Sequence, residues 1–355
     1  MTIRIGHGKS RLAACAIAFA CHSPVYASID DSVMTPAVEA RAAPTSPHGC
    51  IAAASSCTGW KLGDATEPTS PSFASASAPP ADTAPAYGPP AELPHSAADD
   101  APNPQRVSFG QEIGAVKWEV GAIFAYMTIT QAIVTKETQP FHFQDEGWFG
   151  KDTKALGMDK LTHAFNTYMF ADFLQHRIEK RTGSKGAIAA AVLASGLQLY
   201  SELWDAHKVT SGFSVQDVAF NTLGGAFSVL RNTTPGLRDK LDFRLMIVPN
   251  SSFYTFKGSR HYAQQRYLFA LTLAGFDGLK DTPLRFVELH AGYYGKGFTA
   301  RDKALGREPQ RKLFFGIGLN VKELFFHKPR SNVARMAGST LDYLQLPYTA
   351  VHVVP

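Results

Sequence analysis

The residues of this chain that could do chemistry are polar side chains at helical spacing on otherwise apolar segments. Seven residues share this feature: Asp159, His163, Asn166, Glu202, Asp205, Asp217 and Asn221. Residues three or four positions apart lie on one face of a helix. Buried polar groups need partners, so we expect the helices to converge on one polar cluster. Half-buried acids beside a histidine are also what proton transfer requires.

Several of these residues have a purely structural explanation as well. Asp159 is suited to an N-cap, and Ser214 followed by Asp217 three positions later matches a capping box. A single core histidine such as His163 is commonly just hydrogen-bonded. Glu202 has the weakest explanation of this kind, because it follows an apolar run with no helix end to cap. The sequence leaves both a packing role and a chemical role open, and it assigns no catalytic residue.

A loop dense in aromatic and acidic residues, at positions 141–150, precedes these helices. Aromatic loops on a scaffold often bind a ligand or lie at a membrane interface. The alternative is a loop held onto the helices by its own aromatic rings. We take as a candidate binding loop His142, Asp145, Glu146 and Trp148.

Four segments with helical periodicity must position the cluster. They cover residues 111–134, 159–181, 186–207 and 214–230. A helix that spans a membrane needs roughly 20 apolar residues, and the third segment is interrupted earlier by Glu202. We therefore predict a four-helix bundle packed within the protein, and keep an intramembrane bundle as the alternative.

The period changes to two after residue 243, which predicts strands. Alternation indicates strands at 267–274, 284–294 and 312–321, with shorter ones at 243–248, 253–256 and 344–353. The predicted fold class is α+β, a four-helix bundle followed by an antiparallel β-meander of five or six strands. The long strands also fit an outer-membrane barrel plugged by the helices, which is the alternative.

The N-terminal third predicts export rather than a folded core. A basic start, a short apolar run and Val25-Tyr26-Ala27 are typical of a signal peptide. We expect a signal peptide over 1–27, a disordered linker rich in Ala, Pro and Ser over 28–107, a helical bundle domain over 108–240 and a β-sheet region over 241–355. The net charge of +5 is mild, and no basic stripe indicates nucleic-acid binding.

The ordered motifs resemble a known family, the YfiM-like predicted periplasmic lipoproteins, a domain of unknown function. The similar segments are Phe141 to Phe143, Glu146 to Trp148, Met158 to Ala164, Glu202 to Asp205 and Ser211 to Ser214. A fainter similarity to the VanZ-like helical family involves Asp159-Lys160, His163, Glu202, Asp217 and Asn221. The resemblance implies a Gram-negative envelope location and a helical core with these polar positions as its signature. It implies no reaction, and the N-terminus favours plain cleavage after Ala27 over lipid anchoring.

Together these patterns predict an exported periplasmic envelope protein without enzymatic activity, cofactor or metal. Its partner would be a membrane surface or another envelope component, with attachment to the outer membrane as one option. The polar cluster would fix helix packing or form a small binding pocket. The alternative is a hydrolase of envelope lipid or glycan, with Glu202 or Asp205 as base and His163 as acid or metal ligand.

Overall fold

The structure is a computed structural model of the 355-residue chain, and it describes residues 107–249 and 261–355. The predicted signal peptide, nearly all of the predicted linker and the predicted strand at 253–256 lie outside the described residues.

Five helices make up the first half of the described chain. Their bounds are α1 Phe109–Ala115, α2 Lys117–Val134, α3 Met158–Thr182, α4 Ala187–Asp205 and α5 Val215–Thr233. The first predicted helix is therefore two helices, because the backbone leaves helical geometry at Val116 (φ −119°, ψ 13°). Gly114, a residue of low helix propensity, lies two positions before the break. The prediction of four helices is wrong in this detail.

Helix α3 lies at the centre of the helices and contacts both α4 and α5. It is buried along most of its length, as expected of a helix that is surrounded by protein. Helix α5 approaches it closely at Gly224, where an added Cβ would lie 2.0 Å from the Ala164 carbonyl oxygen. Only glycine fits at that crossing, so α3 and α5 present their side chains to each other at short range.

The second half of the described chain forms one six-stranded sheet. Its strands are β1 Leu241–Ile247, β2 Gln265–Thr272, β3 Val287–Lys296, β4 Gln310–Leu319, β5 Leu344–Gln345 and β6 Ala350–Val353. The order is β5-β1-β2-β3-β4-β6. Strands β1 to β4 and β6 pair antiparallel, whereas β5 pairs parallel with β1. The sheet is therefore mixed, and the prediction of a purely antiparallel meander is wrong.

The predicted strand at 344–353 divides into β5 and β6, which lie at opposite edges of the sheet. Pro347 lacks an N–H for a strand ladder, and Tyr348 adopts a left-handed backbone with φ of 68°. Three short helices accompany the strands: α6 Ala300–Ala304, α7 Val321–Phe326 and α8 Asn332–Thr340. The described residues thus form a mixed helix-and-sheet structure, as the fold class predicted, with eight α-helices and one mixed sheet.

Aromatic side chains join α3 to the first two strands. Phe165 packs on Phe243 and Tyr267, with ring centroids 5.6 and 5.8 Å apart. Tyr168 packs on Phe243 and on Tyr343 beside β5. Large buried rings contribute strongly to core stability, so the sheet holds α3 in place and thereby orients the polar residues of its first turns.

Helix α4 is the single helix among the described residues that is long and apolar enough to cross a membrane. Half of its apolar window is buried inside the protein. Because α4 also buries Gln198 and Glu202, its apolar character fits packing against α3 and α5.

Candidate functional site

Three helices and the loop before them bring acids, an amide and two bases together. His163 on α3 is buried and lies between side chains from the neighbouring helices. Its Nδ1 lies 3.2 Å from Asn221 Oδ1 and 3.4 Å from Glu202 Oε1. Its Nε2 lies 3.9 Å from Asp159 Oδ1 and 3.8 Å from Asp217 Oδ1. The structure therefore brings four of the other six predicted cluster residues around the imidazole ring of His163.

Lys160 is the second base of this site, and sequence reasoning missed it as a site residue. Its side chain is buried, and Nζ lies 2.7 Å from Glu146 Oε2, 2.7 Å from Asp217 Oδ1 and 3.2 Å from Asp159 Oδ2. One signal was available, because Lys160 occupies the first turn of α3, where the helix dipole disfavours cations. A lysine at such a position needs acidic partners.

Local structure at the helix ends keeps both aspartates available to the site. Helix α3 begins after Gly157, whose left-handed backbone (φ 81°) serves as the N-cap, so Asp159 is not the cap that one explanation suggested. Ser214 does cap α5, accepting a hydrogen bond of 3.2 Å from the Asp217 backbone N–H. The Asp217 carboxylate does not complete the capping box. It contacts Lys160 instead.

Residues outside the predicted cluster complete its contacts. The Tyr262 hydroxyl donates a hydrogen bond of 2.5 Å to Asp159 Oδ1. The Thr167 hydroxyl donates to Asn221 Oδ1 at 3.1 Å. In contrast, Glu202 Oε1 and Asn221 Nδ2 are buried without a hydrogen-bond partner among the described residues. A buried polar atom without a partner is costly, so this part of the site has capacity for a further contact.

The pKa directions show that the site has more acids than its bases can neutralise. Burial would lower the pKa of His163, but Asp217, Glu202 and Asp159 raise it to about 9. Burial raises the pKa of Glu202, a direction that Asp217 reinforces and His163 opposes. Burial and the charge of Asp159 raise the pKa of Glu146 to about 7. Glu202 and Glu146 therefore retain protons that a bound cation could replace, whereas Lys160 and His163 lower the pKa of Asp159 against its burial.

The site opens to solvent through a cleft. The cleft has an interior volume of about 70 Å³ for water-sized molecules, several times the roughly 10–15 Å³ that one water needs. Its walls include Glu146, Asp159, His163, Asp205 and Asp217. Asp205 forms an ion pair with the buried Lys208, and Trp148 and Tyr262 also line the cleft. A small molecule or ion can therefore reach the acids from outside.

The remaining predicted residues lie elsewhere. Asn166 is buried on α3, and its Oδ1 accepts no hydrogen bond among the described residues. His142 contacts the side chain of Gln139 and does not line the cleft. Asp145 accepts hydrogen bonds from the Gly147 backbone and from Gln216, which fixes the loop against α5. Of the predicted binding loop, Glu146 and Trp148 reach the cleft.

Comparison with protein families finds a match to part of the chain. Residues 145–233 match a family described as predicted periplasmic lipoprotein (DUF2279). The matched stretch includes α3, α4 and α5 and all cluster residues described above except Tyr262. The description agrees with the periplasmic localisation predicted from the sequence. No curated protein and no solved structure matches the chain.

Proposed function

We propose that this protein is a periplasmic envelope protein whose helical core carries a small acidic pocket for a cationic group. One observation supports this most strongly: five carboxylates surround two lysines and one histidine, and all of these acids except Glu202 line a cleft that is open to solvent. The acids are Glu146, Asp159, Glu202, Asp205 and Asp217. A network that only fixes packing has no need of surplus acids or of access from outside. Buried charge without a partner is unfavourable, so the surplus favours a positively charged ligand.

Isothermal titration calorimetry of the full chain, kept metal-free with a chelator, tests the pocket. Putrescine and ethanolamine serve as cationic probes, and we expect saturable binding of at least one. Asp217→Asn should weaken that binding tenfold or more, because Asp217 is buried at the cleft. The control is Asp281→Asn, which removes the same charge at an exposed site and should bind like the wild type. Absence of binding, or equal binding by both variants, would contradict the proposal.

A hydrolase that acts on envelope lipid or glycan is a second proposal, supported by the carboxyl group of Glu146. A carboxyl with a pKa of about 7 in an accessible cleft is suited to proton transfer near neutral pH. The test incubates the chain with phosphatidylglycerol vesicles or with peptidoglycan and analyses released products by mass spectrometry. Products that disappear with Glu146→Gln would support hydrolysis. If neither substrate releases a product, the hydrolase proposal fails and only the binding role remains.

We also propose that the protein rests on a membrane through the outer part of its sheet. The face that packs on α3 at β1 and β2 continues across β3, β4 and β6, where its side chains are exposed. The exposed residues on this face are apolar and lie beside one another on neighbouring strands. They are Leu289, Phe315, Ile317, Val351 and Val353. Large exposed apolar patches mark interaction sites. The segment 296–312 at one end of β3 and β4 carries six basic residues against two acidic ones, which suits anionic lipid headgroups.

Co-sedimentation of the full chain with phosphatidylglycerol vesicles tests this surface. Ile317→Asp should reduce the bound fraction severalfold, because a charge enters the apolar face. Ile188→Asp is the matched control, since Ile188 on α4 is exposed to a similar extent (65% against 60%). Equal binding by the two variants would refute attachment through the sheet. Extraction from cell membranes by carbonate or high salt would also argue against an integral outer-membrane barrel.

A further inference from the structure

We propose that Asp159, His163 and Asp217 bind a divalent transition metal ion, for which Zn²⁺ is the probe. The inference rests on the proposed function, since it names the cation that the acidic pocket holds. One ligand atom from each residue lies within 4.8 Å of the other two. His163 Nε2 is 3.9 Å from Asp159 Oδ1 and 3.8 Å from Asp217 Oδ1. Ligands of a tetrahedral zinc ion are roughly 3.4 Å apart, so small side-chain movements suffice.

The three residues are placed so that they can act together. Asp159 and His163 are one turn apart on α3, and Asp217 reaches them from the first turn of α5. Gly224 brings α5 against α3 at backbone distance. One imidazole nitrogen and two carboxylates are a ligand set that zinc accepts in protein sites that keep a fourth position open. The cleft has room for water at that position.

The orientation of the His163 ring supports metal binding independently of the acids. A histidine that ligates a metal usually donates its other ring N–H to a carboxylate or carbonyl oxygen. Here Nε2 faces Asp159 and Asp217, while Nδ1 faces Asn221 Oδ1 at 3.2 Å and Glu202 Oε1 at 3.4 Å. Glu202 is 1% exposed, and its Oε1 accepts no hydrogen bond from the described residues. With a metal on Nε2, the Nδ1 proton points at these two acceptors.

Asp159 also has an orienting partner outside the proposed coordination sphere. Tyr262 donates a hydrogen bond to Asp159 Oδ1 at 2.5 Å. Such outer contacts fix ligand geometry before the metal arrives. Two of the three ligands, His163 and Asp159, are therefore restrained in this way. Asp217 Oδ1 is instead held by Lys160 Nζ at 2.7 Å, a contact that a metal has to replace.

Lys160 is also the natural competitor of a metal at this place. Its ammonium group contacts Asp217 and Asp159, so an incoming cation must take both carboxylates from it. Glu146 lies 2.7 Å from the same ammonium group and remains as its counter-ion when the metal binds. Removing the lysine charge should therefore strengthen metal binding, a result that a purely structural role of the cluster does not produce.

The test is titration of Zn²⁺ into the chelator-treated full chain by isothermal titration calorimetry, with elemental analysis of the dialysed protein. We expect one ion per chain in the cleft. His163→Gln and Asp217→Asn should each weaken this binding at least 100-fold, and Glu202→Gln about tenfold, through loss of ring orientation. Lys160→Met should tighten binding. Asp281→Asn is the control, and circular dichroism checks that each variant is folded.

Two outcomes would overturn the inference. The first is a folded wild-type chain that binds no zinc. The second is zinc binding that survives His163→Gln but is lost with His352→Gln, because His290 and His352 form a separate pair with ring nitrogens 3.0 Å apart. If the chain binds putrescine or ethanolamine but no zinc, the metal site is refuted and the proposed pocket for a cationic group still stands.

Discussion

Two buried polar networks, one among the helices and one between the helices and the sheet, differ in how completely their charges are paired. We call the residues around His163 and Lys160 the helix cluster. The sheet network consists of Arg231 and Arg244 with Asp172, Asp242 and Glu288. All six carboxylate oxygens of its three acids accept hydrogen bonds. In the helix cluster, a buried oxygen of Glu202 accepts none.

The choice of base explains much of this difference. Arg244 donates two hydrogen bonds to Glu288, at 2.8 and 3.0 Å, and a third to Asp242 at 2.6 Å. A planar guanidinium group matches carboxylates in this way. Lys160 offers a point charge, and His163 offers one nitrogen on each side. The lysine and histidine therefore leave acceptors that a ligand can use, whereas the arginines saturate theirs.

The pKa directions of the acids differ between the two networks at the glutamates. Burial would raise the pKa of Glu288, but hydrogen bonds from His290 and Arg244 lower it. Burial would also raise the pKa of Asp242, but Arg244 and Arg231 lower it. In the helix cluster Lys160 and His163 lower the pKa of Asp159 against its burial, whereas the pKa values of Glu202 and Glu146 are raised. The sheet network therefore holds these acids as anions, and the helix cluster combines an anionic aspartate with glutamates that retain protons more readily.

The largest expected effect is a difference in stability loss when the same substitution, glutamate to glutamine, is made in each network. Glu288→Gln should lower the free energy of unfolding by about 3–5 kcal/mol, because it leaves Arg244 incompletely paired in the interior. Glu202→Gln should change it by less than about 1 kcal/mol, because the carboxylate oxygen that faces His163 makes no hydrogen bond. Urea unfolding at pH 7 measures both, with Glu308→Gln as the exposed control. Equal losses of unfolding free energy at the two positions would show that the two networks do not differ in this way.

The pH dependence of stability gives the second effect. The pKa of His163 is raised in the folded state to about 9 from its ordinary 6.5. Its contribution to stability is therefore complete below pH 6.5 and is lost as the pH rises through 9. At about 1.4 kcal/mol per pKa unit, the complete loss is on the order of 3–4 kcal/mol.

Urea unfolding between pH 7.5 and pH 9 measures the upper part of this loss, and His163→Gln should remove it. Below pH 7.5 the carboxyl group of Glu146, whose pKa is raised to about 7, and the histidines of the unfolded chain also titrate. His352→Gln is the matched control: burial and the neighbouring His290 lower the pKa of His352 to about 4, so its imidazole is neutral in the folded and the unfolded chain over this range. Its slope should equal that of the wild type. A wild-type stability that rises from pH 7.5 to pH 9 would contradict the assigned direction.

Local patterns predicted the elements that carry the helix cluster. Helices α3, α4 and α5 show a clear helical period, and β2, β3 and β4 show strict alternation. The break at Val116 and the separation of β5 from β6 depend on single residues within otherwise regular patterns. The parallel pairing of β5 with β1 joins residues about 100 positions apart, and no local period reports such a contact.

The site was predictable to a similar extent. Spacing alone grouped Asp159 with His163 and Asp217 with Asn221, since each pair shares a helix face. It did not identify Tyr262, which reaches Asp159 from 103 residues further along the chain. Lys160 was missed because a lysine in a polar motif is usually exposed, and its burial follows from the three acids that tertiary packing places around it.

Two tyrosine hydroxyls give the smallest and most direct test of the comparison. Tyr262 donates to Asp159 in the helix cluster, and Tyr343 donates to Asp172 in the sheet network. The Asp159 side chain is 22% exposed, whereas that of Asp172 is 2% exposed. Water can therefore replace the hydroxyl only at Asp159. Tyr262→Phe should cost about 1 kcal/mol in urea unfolding, and Tyr343→Phe roughly 2 kcal/mol. The reverse order would mean that the helix cluster, rather than the sheet network, is the one that folding depends on.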